Sequence, residues 1–327
     1  MPYIQNSSYK IPFFKNGHLQ TIFTALFRHT AKPEFERERL QTDDNDFLLL
    51  DWLIHSGKEK QNKKLVILSH GLEGDSSSSY IRGMANWFFK NNYDVMARNQ
   101  RGCGGEPNLL LKSYHSGAIE DLDLTVRLGV KRGYKKIVLI GFSLGGNQTM
   151  LYLSGAKIKP AKEIKAGIIF SAPIDLRSCA MKLAEPQGKL YMSRFLATMR
   201  DKIKEKNRRF PGTLDLTGLE KIKDFEEWDT RFTGPIHGFK DADDYWKKCS
   251  SLPHIPKLKI PVLLVQSRND PFLSELCFPR EMSEKNKYFF LEDLQYGGHC
   301  AYTENPLGEE ILWSEKRALQ FAEEYCN

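Results

Sequence analysis

A serine stands where a short apolar run meets a pattern typical of a helix. The run Lys136–Phe142 reads K-I-V-L-I-G-F, and Ser143 follows it directly. The segment G-F-S-L-G from Gly141 to Gly145 matches G-x-S-x-G, in which glycines permit a turn tight enough to expose a serine hydroxyl at a strand end. We therefore interpret Ser143 as a nucleophile.

A serine hydroxyl needs a base that accepts its proton, and that base needs an acid to orient it. Asp270 comes just after the apolar run 260–266, and His299 lies in a glycine-rich loop after the next strand pattern. The order Ser, Asp, His is the one expected after this type of turn. Asp293 is the rival acid. It lies on the same loop as His299, directly after the strand, and from there it reaches the far nitrogen of the imidazole less naturally than Asp270 does from the end of the neighbouring strand. We predict Ser143, Asp270 and His299 as the catalytic residues.

An earlier apolar run, Leu65–Ser69, leads into the loop H-G-L-E-G that begins at His70. A loop in this position supplies one backbone N–H to an oxyanion hole, and the residue after the nucleophile supplies the other. The predicted donors are the amides of Leu72 and Leu144. Four residues are expected to shape the two turns: His70, Gly71, Gly141 and Gly145.

Two other patterns could carry chemistry, although each is weaker. His70 and Asp75 have the H-x₄-D spacing of some acyltransferases, and Cys103 lies in a loop of turn-forming residues where a thiol nucleophile is conceivable. No second histidine lies at metal-ligand spacing from His299. We expect neither a metal nor a cofactor.

Apolar runs alternate with helical patterns through most of the chain, which favours a doubly wound, mostly parallel α/β sheet. The predicted strands are Phe47–His55, Leu65–Ser69, Asp94–Arg98, Ile137–Ile140, Gly167–Ser171, Val262–Gln266 and Tyr288–Leu291. The predicted helices are Tyr80–Lys90, Ile119–Lys131, Leu144–Gly155, Ser274–Glu284 and Glu309–Tyr325.

The alternation stops after Ala172-Pro173 and resumes at Ile260-Pro261. The intervening stretch has charges, aromatic residues and helical periods but little strand pattern. We predict a core formed by residues 1–175 and 258–327, with a helical cap inserted at 176–257.

Composition excludes several classes. The 48 Lys+Arg and 41 Asp+Glu are interspersed, so the net charge of +7 does not point to nucleic acid, and the basic run Lys202–Arg209 is best interpreted as a solvated helix face. Six cysteines include no C-x-x-C pair, and we see neither a signal segment nor an apolar run long enough to span a membrane. A cytoplasmic protein with reduced thiols is expected.

Apolar residues near the N-terminus recur at helical spacing: Leu19, Ile22, Phe23, Leu26 and Phe27. We expect this stripe to pack on the core or cap. The alternative is an interfacial helix within residues 13–28 that contacts a membrane or lipid aggregate.

Four motifs together resemble the YheT-like hydrolases of the α/β-hydrolase superfamily. They are N-G-H-L-Q-T-I-F from Asn16, H-G-L-E-G from His70, R-G-C-G-G-E-P-N from Arg101, and F-T-G-P-I-H-G-F from Phe232 before Asp244-Tyr245. The resemblance implies the α/β-hydrolase fold, a cytoplasmic esterase, the same triad, and relatives that act on lipids. It departs at Gly17, Asp75 and Gly104, none of which belongs to the triad.

The residues thus predict a serine enzyme acting on small-molecule or lipid carboxylic esters. Transfer of the acyl group to an alcohol, and binding without turnover, stay open as alternatives. Acyl length, leaving group and oligomeric state depend on geometry that a repeating pattern does not fix.

Overall fold

A computed structural model describes residues 3–4, 7–56, 64–304 and 311–326. Within them the chain forms a nine-stranded sheet with the order β1-β9-β8-β7-β6-β4-β5-β3-β2. The strands are β1 Tyr3–Ile4, β2 Glu36–Gln41, β3 Phe47–Leu53, β4 Lys64–Ser69, β5 Asp94–Asn99, β6 Lys136–Phe142, β7 Ile164–Phe170, β8 Val262–Ser267 and β9 Phe289–Leu294. Strand β3 is antiparallel to both β2 and β5, and the other pairs are parallel.

The helices are α1 Gly17–Phe27, α2 Ser79–Lys90, α3 Glu120–Lys131, α4 Leu144–Leu153, α5 Leu176–Ala184, α6 Lys189–Arg209, α7 Phe225–Trp228, α8 Gly234–His237, α9 Ala242–Cys249, α10 Arg280–Lys285 and α11 Trp313–Cys326. Helices α5–α9 fill the interval between β7 and β8, a stretch described throughout that contains no strand. Its division into a separate cap at 176–257 stays a prediction.

The central strands are buried on both faces of the sheet. Leu65 and Ile67 of β4 belong to one apolar cluster, whereas the alternating residues Val66 and Leu68 belong to another. Side chains alternate between the faces of a strand, so continuous apolar runs are required where both faces are covered. This is why the pattern predicted these strands correctly, and the predicted α/β architecture is confirmed.

Three interpretations from the sequence need correction. The segment predicted as one helix over Ser274–Glu284 is broken at Pro279 into a short 3₁₀ turn and α10. The basic run 202–209 is not simply solvated, because Lys206 is buried and donates to Asn108 Oδ1 at 2.6 Å, while Arg209 donates to the Asn108 carbonyl at 2.7 Å. The apolar stripe of α1 packs inward only in part: Ile22 packs against a buried cluster of the helical segment, whereas Leu19, Leu26 and Phe27 are exposed.

Candidate active site

Ser143 occupies a sharp turn between β6 and α4. Its φ of 52° and ψ of −122° lie in a region that non-glycine residues rarely adopt, at a cost of about 1–3 kcal/mol. Two backbone hydrogen bonds hold the turn: Ser143 N–H donates to Phe170 O at 2.9 Å, and Asn147 N–H donates to Ser143 O at 3.1 Å. The chain therefore keeps the strained conformation that presents this hydroxyl at the carboxyl edge of the sheet.

Close approach of two backbones explains the glycines of this turn. A Cβ at Gly145 would clash with the carbonyl oxygen of His70, and one at Gly141 would lie 2.5 Å from the carbonyl oxygen of Gly145. Gly71 lies against the nucleophile itself, because a Cβ there would be 3.1 Å from Ser143 Cβ. A side chain at Gly71 or Gly145 would push the His70 loop away from Ser143, and one at Gly141 would clash with the first turns of α4.

His70 holds the predicted oxyanion loop through both ring nitrogens. Its Nδ1 lies 2.7 Å from Gly71 O, and its Nε2 accepts the Gln100 N–H at 3.0 Å. This pairing requires a neutral ring that carries its proton on Nδ1. Burial lowers the pKa of His70 to about 4, so the ring stays neutral near pH 7. The contacts support a structural role for His70.

A buried polar network stands behind the His70 loop. Arg98 at the end of β5 donates to Gln148 Oε1 at 2.8 Å, Gln148 donates to Gln100 Oε1 at 2.8 Å, and Gln100 Nε2 donates to His70 O at 3.0 Å. The sequence analysis missed these residues because isolated polar residues carry no periodic signal. The network fixes the His70 loop to β5 and α4.

Asp270, which is buried, forms a hydrogen-bonded pair with the partly buried His299. Asp270 Oδ2 lies 2.9 Å from His299 Nδ1, and Asp270 Oδ1 accepts the Phe272 N–H at 2.8 Å. The Phe272 ring stacks on the imidazole with centroids 4.0 Å apart. Burial by itself would lower the pKa of His299, but the Asp270 carboxylate outweighs it and raises that pKa above the usual 6.5. The pair thus orients the imidazole and stabilises its protonated form.

The rival acid Asp293 is engaged elsewhere. Both of its carboxylate oxygens accept hydrogen bonds from Arg268, with Arg268 Nε at 2.8 Å from Asp293 Oδ1. A bidentate arginine fixes the orientation of a carboxylate. Asp293 consequently stabilises the Arg268 side chain, while Asp270 contacts the histidine.

One cavity of about 590 Å³ joins these residues. Its lining includes Ser143 and His299 together with Leu72 and Leu144, and Asp270 lies behind His299. Leu144 is the first residue of α4, where a backbone N–H has no acceptor within its own helix. The structure therefore brings the predicted triad and both predicted oxyanion donors to one place.

A family model described as "alpha/beta hydrolase fold" matches residues 64–306. The chain belongs to the α/β-hydrolase family. Its similarity to YheT of Escherichia coli (strain K12), an esterase by name, is 31% identity over 93% of this chain and 89% of that protein. The family match spans residues 64–306 and so includes Ser143, Asp270 and His299.

Two further comparisons agree on the fold. Phospholipase ABHD3 of Homo sapiens is 26% identical over 98% of this chain and 80% of its own length. An esterase of Pyrococcus furiosus superposes with a TM-score of 0.61 over 90% of this chain and 91% of that one, at 21% identity. The α/β-hydrolase fold was predicted from the G-x-S-x-G turn at Ser143 and from the chain order Ser, Asp, His. These comparisons confirm it.

The weaker sequence patterns do not form sites in this α/β hydrolase. Asp75 accepts hydrogen bonds from the backbone and hydroxyl of Ser77, at 2.8 and 2.6 Å, and makes no described bond to His70. Cys103 is buried, and burial raises the pKa of its thiol to about 11. A thiol with that pKa is protonated near neutral pH and is a poor nucleophile.

Helix α1 contributes residues that the sequence analysis did not assign to the site. Thr21 Oγ1 accepts the His299 N–H at 2.9 Å. Gln20 Oε1 accepts hydrogen bonds from Gly297 N–H at 3.1 Å and from Asn269 Nδ2 at 2.8 Å, and Asn269 Oδ1 accepts the Gly298 N–H at 3.0 Å. The helix therefore holds the loop that carries the histidine. The signal available in the sequence was the pair of polar residues, Gln20 and Thr21, between the apolar residues of this helix.

Thr21→Val is expected to lower kcat for a soluble ester roughly tenfold with little change in KM, because a loop that loses this acceptor misplaces His299 relative to Ser143. Thr21→Ser keeps the hydroxyl and should restore the rate. Steady-state kinetics and thermal unfolding of each variant would check this result.

Thr24→Val is the matched control. Thr24 is buried on the same helix, but its hydroxyl has no hydrogen-bond partner among the described residues. If Thr24→Val lowers kcat as much as Thr21→Val does, packing of α1 rather than the bond to His299 accounts for the loss.

Proposed function

We propose that this α/β hydrolase cleaves carboxylic esters through an acyl-enzyme on Ser143, with His299 as the base and Asp270 as its orienting acid. The Asp270–His299 pair, which faces the same cavity as the strained Ser143, carries the proposal. The names of its relatives support the choice of ester, since they include an esterase, a phospholipase and the monoacylglycerol lipase of Saccharomyces cerevisiae.

In this mechanism His299 accepts the Ser143 proton on Nε2 as the serine oxygen attacks the ester carbonyl carbon. The carbonyl oxygen becomes negative and accepts hydrogen bonds from the amides of Leu72 and Leu144, each of which contributes on the order of 10²–10³ in rate. His299 then donates the proton to the departing alkoxide. A water molecule, deprotonated by His299, attacks the acyl-enzyme and releases the acid.

We further propose that residues 176–257 form a cap that selects the substrate. The apolar part of the cavity is lined by side chains of this segment and by one residue of the loop that follows β8. These residues are Leu183, Phe195, Met199, Phe225, Trp228 and Phe232, together with Phe272 of the loop. A polar corner next to Leu72 contains Glu73, which accepts hydrogen bonds from Tyr114 at 2.7 Å and Lys202 at 2.9 Å. An apolar chamber with one polar end fits an acyl chain attached to a more polar leaving group.

Ala180→Leu tests the chamber, because Ala180 of α5 is buried and lines the cavity. The larger side chain should lower kcat/KM for the longest accepted acyl chain by roughly 10–200-fold relative to a short one. The measurement is kcat/KM over a series of p-nitrophenyl esters of graded chain length.

Ala184→Leu, at the exposed C-terminal end of the same helix and outside the cavity lining, should leave the series unchanged. A uniform loss over all esters in Ala180→Leu would indicate damage to the fold rather than a blocked chamber.

Product analysis with added alcohol, run on the parent chain, distinguishes hydrolysis from acyl transfer by whether free acid or a new ester accumulates.

A cytoplasmic location is a further part of the proposal. All six cysteines are free thiols in the structure, which suits a reducing compartment. None of the helices in the described part of the chain is both long and apolar enough to cross a bilayer. We also propose that residues 13–28 contact lipid, for the reasons developed next.

A further inference from the structure

Helix α1 exposes three of its apolar side chains, while Ile22 packs against the buried cluster of the helical segment. Its buried residues are Gly17, Gln20, Thr21 and Thr24, all small or polar. Its exposed residues include Leu19, Leu26 and Phe27, at 53%, 62% and 57% exposure. The inner side is polar because it bonds to the histidine loop, so the hydrophobic effect within the monomer does not explain the choice of residues on the outer side.

The apolar outer side continues into the preceding segment. Ile11 and Phe13 are 71% and 72% exposed. With Leu19, Leu26 and Phe27 they form what we call the outer face, and these five account for more than half of the nine large apolar side chains that are exposed in the described residues. Isolated exposed apolar residues are ordinary, but a cluster of this kind marks a surface that binds something.

The charges around the outer face have one sign. Residues 1–33 contain no Asp or Glu, while Lys10, Lys15 and Lys32 are exposed. Arg28 points inward, where it pairs with Glu315 at 2.5 Å. A second acid, Glu304, contacts this segment through its carboxylate, which accepts the Lys10 backbone N–H at 2.8 Å. Exposed lysines beside apolar side chains complement an anionic lipid surface.

We propose that the outer face docks on a membrane surface that contains anionic lipid. A second copy of the chain fits less well, because two outer faces in contact would bring together the lysines of residues 1–33, a stretch that contains no Asp or Glu. Since the inner side of α1 binds the loop of His299, docking on the outer face holds that loop one helix away from the lipid surface. Any consequence for lipid esters rests on the proposed esterase function, whereas docking itself does not.

Cosedimentation with vesicles tests the proposal. The full chain should sediment with vesicles of phosphatidylcholine mixed with phosphatidylserine. The double variant Phe13→Ser, Leu26→Ser should bind on the order of 10²-fold more weakly, because two inserted apolar side chains are lost. The charge reversal Lys10→Glu, Lys15→Glu should weaken binding on the order of tenfold.

The matched control is Leu109→Ser, Leu276→Ser, which removes two exposed leucines elsewhere, at 45% and 55% exposure, and should bind as the parent does. Parent protein that stays in the supernatant, or binding that is equal on pure phosphatidylcholine, would overturn the proposal. So would a parent dimer that Phe13→Ser, Leu26→Ser converts to a monomer.

Turnover of a short, fully soluble ester separates this test from the proposed function. The Phe13→Ser, Leu26→Ser variant should match the parent on that ester, since neither side chain belongs to the site. A parent chain that binds vesicles but leaves every ester intact would refute the esterase and leave the docking surface supported.

Discussion

Replacement of Ser143 by alanine is expected to lower kcat for a soluble ester by roughly 10⁵–10⁶. The expected size follows from the mechanism, because no acyl-enzyme can form and only the oxyanion donors and substrate binding remain. The measurement is steady-state turnover at saturating ester, with the variant purified free of any contaminating parent enzyme.

The variant should keep its fold. Ser143 is half-buried and its turn is held by backbone hydrogen bonds to Phe170 and Asn147, which alanine retains. Ser193→Ala, at an exposed position of α6, is the matched control and should turn over ester as the parent does. Near-parental activity in a folded Ser143→Ala protein would remove the basis of the mechanism.

Asp270→Asn is expected to lower kcat by about 10⁴, since an amide in place of the carboxylate no longer holds His299 in the tautomer that accepts the serine proton. Asp293→Asn should cost less than roughly tenfold, because Asp293 contacts Arg268 instead of the histidine. The two variants remove the same charge from neighbouring strand ends, so each controls for the other. The opposite ranking would reassign the acid.

The pH dependence should follow the same pair. Protonated His299 cannot accept the serine proton, so kcat/KM should fall as the pH drops through the pKa of His299 in the free enzyme. Because the Asp270 carboxylate raises that pKa, Asp270→Asn should move this acidic limb to lower pH. If kcat/KM falls at the same pH in Asp270→Asn as in the parent, a group other than His299 controls this part of the pH profile.

The sequence predicted those parts of the fold in which one physical requirement dominates. Strands buried on both faces need continuous apolar runs, as in β4 and β6, and the turn at Ser143 needs glycine where His70 approaches. Strand β2 was missed because it is an edge strand with the sequence E-R-E-R-L-Q, whose charged side chains are mostly exposed. An edge strand of this kind is stabilised by its pairing with a neighbouring strand, here β3, and the local sequence pattern does not show that pairing.

The missed site residues have the same explanation. Gln20 and Thr21 contact the loop of His299 from a helix more than 250 residues away in the sequence, and Asn269 contacts it from a neighbouring loop. Contacts between segments so far apart leave no regular spacing in the sequence that could be recognised. The stripe of α1 was identified correctly, but its packing was predicted correctly only at Ile22, because periodicity gives the width of an apolar face and not its direction. Only the packing of the inner residues fixes that direction.

Covalent labelling tests the central claim, that Ser143 is the nucleophile, most directly. A fluorophosphonate should modify the parent chain once, at Ser143, because an activated serine attacks phosphorus and the adduct's oxygen takes the place of the oxyanion beside Leu72 and Leu144. Peptide mass spectrometry of the parent and of Ser143→Ala would read the result. Modification of the peptide that contains Ser143, lost in Ser143→Ala, is the predicted outcome, and labelling at Cys103 or persistent labelling of the alanine variant would contradict it.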